Sequence, residues 1–229
     1  SGIKGTGVKI GILDTGFDTA NAEFKDSMSV SRISTDPAFT GNTNIHGSLV
    51  AEVAGGKTIG MAPNVNIKGI AAGVTCDDGT DTCVNTTLNM YQSLYNGGVK
   101  IYNQSFGATN FPTKANFPLT DPVIDFLYNK ATSDSLFIWA TGNGSSPLPG
   151  GEAALPSLYP AMEKGWIAVT AIDSQTGLIA DYANQCGLAK NWCIAAVGDY
   201  NFKVQNLTGK GTSFATPAVT GTAALVQQK

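Results

Sequence analysis

Short apolar runs rich in β-branched residues recur along this chain, at Val8 to Leu13, Asn66 to Ala71, Lys100 to Gln104, Leu136 to Thr141, Ile167 to Ile172 and Ile194 to Val197. Runs of this kind suit strands buried in a parallel sheet. Helical patterns alternate with them, at His46 to Ala54, Thr86 to Asn96, Asp121 to Ser133 and Ser213 to Gln228. Strand and helix in alternation predict an α/β fold, doubly wound, with a mostly parallel central sheet and helices on both faces. In 229 residues that are 42% hydrophobic there is enough apolar material for a sizeable core, and no repeat or linker divides the chain. One domain over residues 1–229 is therefore expected. Ligands of such sheets gather beyond the carboxyl ends of the strands. Asp14 directly follows VKIGIL and Asn143 closely follows LFIWAT, so both are expected at that edge.

A net charge of −3 with 14% charged residues offers no basic stripe for nucleic acid and no polybasic segment for anionic lipid. No apolar run approaches the roughly 18 to 20 residues of a membrane helix. Neither nucleic acid nor membrane contact is expected, and the domain is read as a monomer. The chain opens at Ser1 almost directly on a strand, so any leader or pro-segment lies outside it. Cys76 and Cys83 bracket CDDGTDTC, and Cys186 and Cys193 bracket CGLAKNWC. Two local disulfides are the simplest of the three pairings that four cysteines allow, and they imply an oxidising compartment, secreted or at the cell surface. A zinc site usually wants two to four residues between paired ligands, and free buried thiols sit poorly in such hydrophilic loops.

Three segments carry chemistry: LDTG at Asp14, NIHGS at His46 and GTSFATP at Ser213. His46 is the only histidine, so a neutral-pH general base on an imidazole must be that residue. The hydroxyl of Ser213 stays protonated at neutral pH and needs such a base to attack a carbonyl. Asp14, rigid at a strand end, suits the task of holding the imidazole tautomer and its charge. After Ser213, FATPAVTGTAALV reads as a buried helix whose amino end favours developing negative charge. Pro217 lies about one turn in. Asn143 can supply a side-chain amide to an oxyanion.

With these residues in view, the chain resembles the subtilisin-like serine proteases, the subtilases. The matching segments are VKIGILDTGFD, HGSLVAEVAG, NQSFG, ATGNG and GTSFATPAVTG, in that order. The resemblance implies an endopeptidase in which Asp14, His46 and Ser213 form the triad and Asn143 the oxyanion donor. It implies protein or peptide substrates bound in extended form, no cofactor, and a substrate-binding segment at Ser105, Phe106 and Gly107. Counting back from Tyr159 and Pro160, which resemble a family Tyr-Pro pair, it implies Ala154 near the base of the pocket for the residue before the cut. A small base there suits apolar or aromatic side chains, while Glu152 nearby could favour a cation.

Some features depart from the family. AGGKTIGMAP after the His46 helix is shorter than the family's calcium-enclosing loop; Glu23 matches a calcium carboxylate, but too few oxygen ligands remain around it, so no metal site is expected. Leu49 replaces a second histidine, and PAV replaces PHV after the nucleophile. The six-residue cysteine loops, notably CGLAKNWCIAA, resemble the passenger domains of bacterial autotransporters. Family domains usually extend further at both ends, so either a trimmed core or a fragment is expected. A catalytically silent binding domain of the same fold is the alternative. An esterase would usually carry a G-x-S-x-G elbow, and HExxH zinc chemistry needs two histidines.

Overall fold

The computed structural model describes residues 2–41, 44–76 and 82–229. Eleven strands occur among them: β1 Lys9–Asp14, β2 Ile33–Thr35, β3 Asn66–Ala71, β4 Gly73–Thr75, β5 Thr82–Val84, β6 Ile101–Gln104, β7 Leu136–Ala140, β8 Trp166–Ile172, β9 Cys193–Val197, β10 Asp199–Phe202 and β11 Leu207–Lys210. The α-helices are α1 His46–Gly55, α2 Leu88–Asn96, α3 Pro122–Ala131 and α4 Thr212–Gln227. Seven strands form the central sheet in the order β2-β3-β1-β6-β7-β8-β9. It is mostly parallel, as the alternation of patterns predicts.

The chain divides into two compact units, residues 1–103 with 220–229, and residues 104–219. In the first, β1 and β3 pair in parallel from Lys9 opposite Asn66 to Asp14 opposite Ala71, and β2 lies along β3. Ile10, Ile12, Leu13, Ile67 and Ile70 are buried there. Helix α1 is buried from Gly47 to Gly55, and its two polar side chains there are hydrogen-bonded, Ser48 accepting from the Asp18 amide and Glu52 from the Asn21 side chain. β4 and β5 make an antiparallel hairpin closed by the disulfide Cys76–Cys83. The tip of that cysteine loop, residues 77–81, lies outside the described residues.

In the second unit β7, β8 and β9 run parallel, and Trp139 of β7 stacks on Trp166 of β8 with ring centroids 5.5 Å apart. α3 starts where Asp121 accepts from the Val123 and Ile124 amides and Pro122 fills the first helical position. A hairpin of β10 and β11 leads into α4. The second predicted disulfide, Cys186–Cys193, is formed as well. Among the described residues no helix is long and apolar enough to cross a membrane.

Candidate active site

Asp14 is the last residue of β1 and is fully buried. Its Oδ1 accepts from the Thr15 amide at 2.7 Å and meets Nδ1 of His46 at 2.7 Å. His46 opens α1, and its amide donates to Oδ1 of Asn44. Thr15 locks this helix start to the strand end. Its hydroxyl donates to the Asn44 carbonyl and accepts from the Gly47 amide. The approach is close enough to demand glycine at 47, because a Cβ there would stand 2.6 Å from the Gly16 carbonyl oxygen and 3.0 Å from Cβ of Asp14. The sequence HG thus serves two ends: the ring is aimed, and the helix is allowed to touch the strand.

Burial alone pulls the His46 imidazole toward its neutral form. The charge of Asp14 and the hydrogen bond to it outweigh burial, so the pKa stands above its ordinary value. The side chain stays 31% exposed beside a carboxylate with no exposure at all.

In the second unit Ser213 lies in the first turn of α4, half-buried. Its hydroxyl donates to the Ser105 carbonyl at 3.1 Å, and the Ser105 hydroxyl donates to the Ser213 carbonyl at 2.8 Å. Pro217 explains the second bond. In an α-helix the residue 213 carbonyl accepts from the amide of residue 217, which proline lacks, so an outside donor is required. Ser105 supplies it.

Asn143 follows the end of β7 by three residues. Its Oδ1 accepts from both the amide and the hydroxyl of Thr212, each at 2.9 Å, and the Gly142 amide donates to that hydroxyl. With Oδ1 engaged twice, Nδ2 is the end of the amide left for a developing oxyanion. Asn143, Ser213, Ser105, Phe106 and Gly107 all line a groove of about 620 Å³, together with apolar Phe111, Leu148 and Pro149. Phe106 serves the core as well, edge-on to Trp139 at 5.5 Å.

Ala154 is not brought to this groove. It is fully buried in the 3₁₀ turn Glu152–Ser157, which packs against β7 and β8. Glu152 does not line the groove either. Its Oε2 accepts from the Ala108 amide at 2.6 Å, so the carboxylate braces the back of the 105–108 segment, and burial raises its pKa. Glu23 is engaged by Thr58, whose amide donates to Oε2 and whose hydroxyl donates to Oε1. Sequence reasoning missed Thr212 and Asn184, the groove-lining residues that hold Asn143 and its loop. The only local signals were a threonine before the nucleophile and an asparagine just before Cys186.

A profile of the Subtilase family matches residues 5–229. Serotype-specific antigen 1 of Mannheimia haemolytica is 35% identical over 120 residues, covering 48% of this chain and 13% of that protein. The Neisserial autotransporter lipoprotein NalP of Neisseria meningitidis serogroup B is 28% identical over 236 residues, covering 80% of this chain and 22% of that protein. This chain thus spans less than a quarter of either relative's length. Among solved structures, the patellamide maturation protease PatA superposes with a TM-score of 0.71 at 26% identity, over 96% of this chain and 78% of its own. The chain belongs to the subtilase family of serine proteases.

Proposed function

We propose that this chain is the peptidase domain of a secreted or surface-displayed endopeptidase, working through an acyl-enzyme on Ser213. His46 takes the Ser213 proton as the hydroxyl attacks a peptide carbonyl, and Asp14 holds the imidazole tautomer and balances its positive charge. His46 then gives the proton to the leaving amine. Asn143 Nδ2 and the amide end of α4 stabilise the oxyanion. Water repeats the sequence to release the acyl group. The two compact units act as one domain in this reading, as a monomer and without a cofactor.

The observation that carries the proposal is the fixed Asn143 amide, its oxygen tied to Thr212, in the same groove as Ser213. A domain used only for adhesion has no need of that arrangement. Substrate would lie extended along Ser105, Phe106 and Gly107, using main-chain hydrogen bonds. Apolar Phe106, Phe111, Leu148 and Pro149 favour an apolar or aromatic side chain before the cut. Glu152 does not itself line the groove, its carboxylate accepting from the amide of Ala108. The disulfides and the autotransporter relative support an extracellular location.

Digestion of an unbiased peptide library tests this reading. Cuts following apolar or aromatic residues, abolished by Ser213→Ala in a variant that still folds, are expected. Undiminished cleavage by that variant would overturn the assignment.

A further inference from the structure

Asn184 sits 9% exposed between β8 and β9, at the rear of the groove, and the chemistry above gives it no task. Yet it is the most heavily bonded residue around the oxyanion loop. Its Nδ2 donates to the Thr141 carbonyl at 2.9 Å, and its Oδ1 accepts from the Gly144 amide at 2.9 Å and the Ser146 amide at 3.0 Å. Its own amide donates to the Gly142 carbonyl at 2.8 Å. Its carbonyl accepts from the hydroxyls of Thr141, at 2.8 Å, and Thr170 of β8, at 2.7 Å.

The pattern of these bonds matters more than their number. The side chain grips the backbone on both sides of Asn143, at 141 before it and at 144 and 146 after it, while leaving residue 143 itself untouched. Gly142 is fitted to this grip. Its φ is +103°, and a Cβ would stand 2.6 Å from Asn184 Nδ2. Asn184 is anchored in turn: the next residue, Gln185, donates its amide to the Ser146 carbonyl, and Cys186 is tied to Cys193. Only a short side chain with one donor and two acceptor directions meets Thr141, Gly144 and Ser146 together. Aspartate would turn an oxygen toward the Thr141 carbonyl, and alanine would take the acceptor from the Gly144 and Ser146 amides and leave the Thr141 carbonyl with the Gly150 amide alone.

We propose that Asn184 is a positioning residue for catalysis, fixing the backbone that carries Asn143 while Thr212 fixes its amide, so that Nδ2 meets the oxyanion without reorganising. This rests on the proposed role of Asn143. The effect should fall on turnover, since the donor acts in the transition state; of the groove residues Asn184 holds Thr141, Gly142, Gly144 and Ser146, around Asn143, rather than the apolar Phe106, Phe111, Leu148 and Pro149.

The test uses Asn143→Ala, Asn184→Ala, Asn184→Ser and the double variant Asn143→Ala/Asn184→Ala. Each is assayed on one peptide substrate, with active sites counted by titration with a fluorophosphonate. Asn184→Ala should lower kcat per titrated site about 10- to 100-fold, the order expected of a misplaced catalytic group, with KM within about twofold. In the Asn143→Ala background the same change should cost less than about twofold, because the donor it positions is gone. Asn184→Ser carries the same expectations if the alanine variant does not fold. A lowered Tm with unchanged kcat per site, or losses that multiply in the double variant, would overturn the proposal. Wild-type kcat in Asn143→Ala would instead remove the oxyanion role on which it rests.

Discussion

Asp14 and His46 are joined by a charged hydrogen bond at a strand end, whereas Ser213 and Asn143 are set in a mesh of neutral ones. The two regions answer different demands. A group that must gain and lose a proton has to sit where its pKa can be tuned, so the first region puts an imidazole against one buried carboxylate and leaves the ring partly exposed. A group that must be in place before charge develops has to be rigid, so the second spreads its hold over Thr212, Asn184, Ser105 and backbone amides. The first region should therefore respond steeply to pH and to single substitutions. Ser213 itself apart, the second should lose activity in smaller steps.

The strongest challenge to this contrast is His46→Ala, for which a fall in kcat of about 10⁶ is expected; that magnitude is known from a subtilisin. Steady-state kinetics would break the contrast if the loss were no larger than a few hundredfold. Next comes Asp14→Asn, with a fall of about 10⁴ and little change in fold by circular dichroism.

The pH profile follows from the raised His46 pKa. The base must be neutral to act, so kcat/KM should fall about tenfold per pH unit below that pKa, and the midpoint should lie above the ordinary 6.5 or so. Stability runs the other way. A raised folded-state pKa means that the charged ring stabilises the fold fully below the unfolded value, and that this contribution fades as pH rises through the folded one. The difference in Tm between wild type and His46→Ala should accordingly shrink with rising pH.

Smaller effects belong to the second region. Ser105→Ala removes the donor to the Ser213 carbonyl that Pro217 leaves open, worth about 1 kcal/mol, or about fivefold in kcat if the loss appears in the transition state. Replacing Cys186 and Cys193 together by serine should cost about 2 to 3 kcal/mol in denaturant unfolding. Its effect on kcat should be below that of Asn184→Ala.

The same contrast explains what the amino-acid sequence could tell. The four α-helices and the main strands fall within a few residues of their patterns, most of them because burial wrote an apolar signal into them; β9, expected to be buried, is instead exposed or half-buried along its length. The pairing of Asp14 with His46 was legible because proton chemistry restricts residue type sharply, above all where a single histidine exists. The β2 strand and the β10–β11 hairpin were not, being short and largely exposed on the hairpin, so that no apolar run marks them. Asn184 was invisible for another reason. Its partners at 141–146 lie about 40 residues away in the chain, and nothing in YANQC announces them. Ala154 and Glu152 illustrate the limit of counting from a motif: the 3₁₀ turn buries the alanine and aims the carboxylate at Ala108.

The claim on which all this depends is that His46, supported by Asp14, activates Ser213. Labelling with a fluorophosphonate, followed by mass spectrometry of the digested protein, tests it most directly. One adduct is expected, on Ser213, formed in the wild type and suppressed in His46→Ala. An adduct elsewhere, or equal labelling of Ser213 without the imidazole, would contradict it.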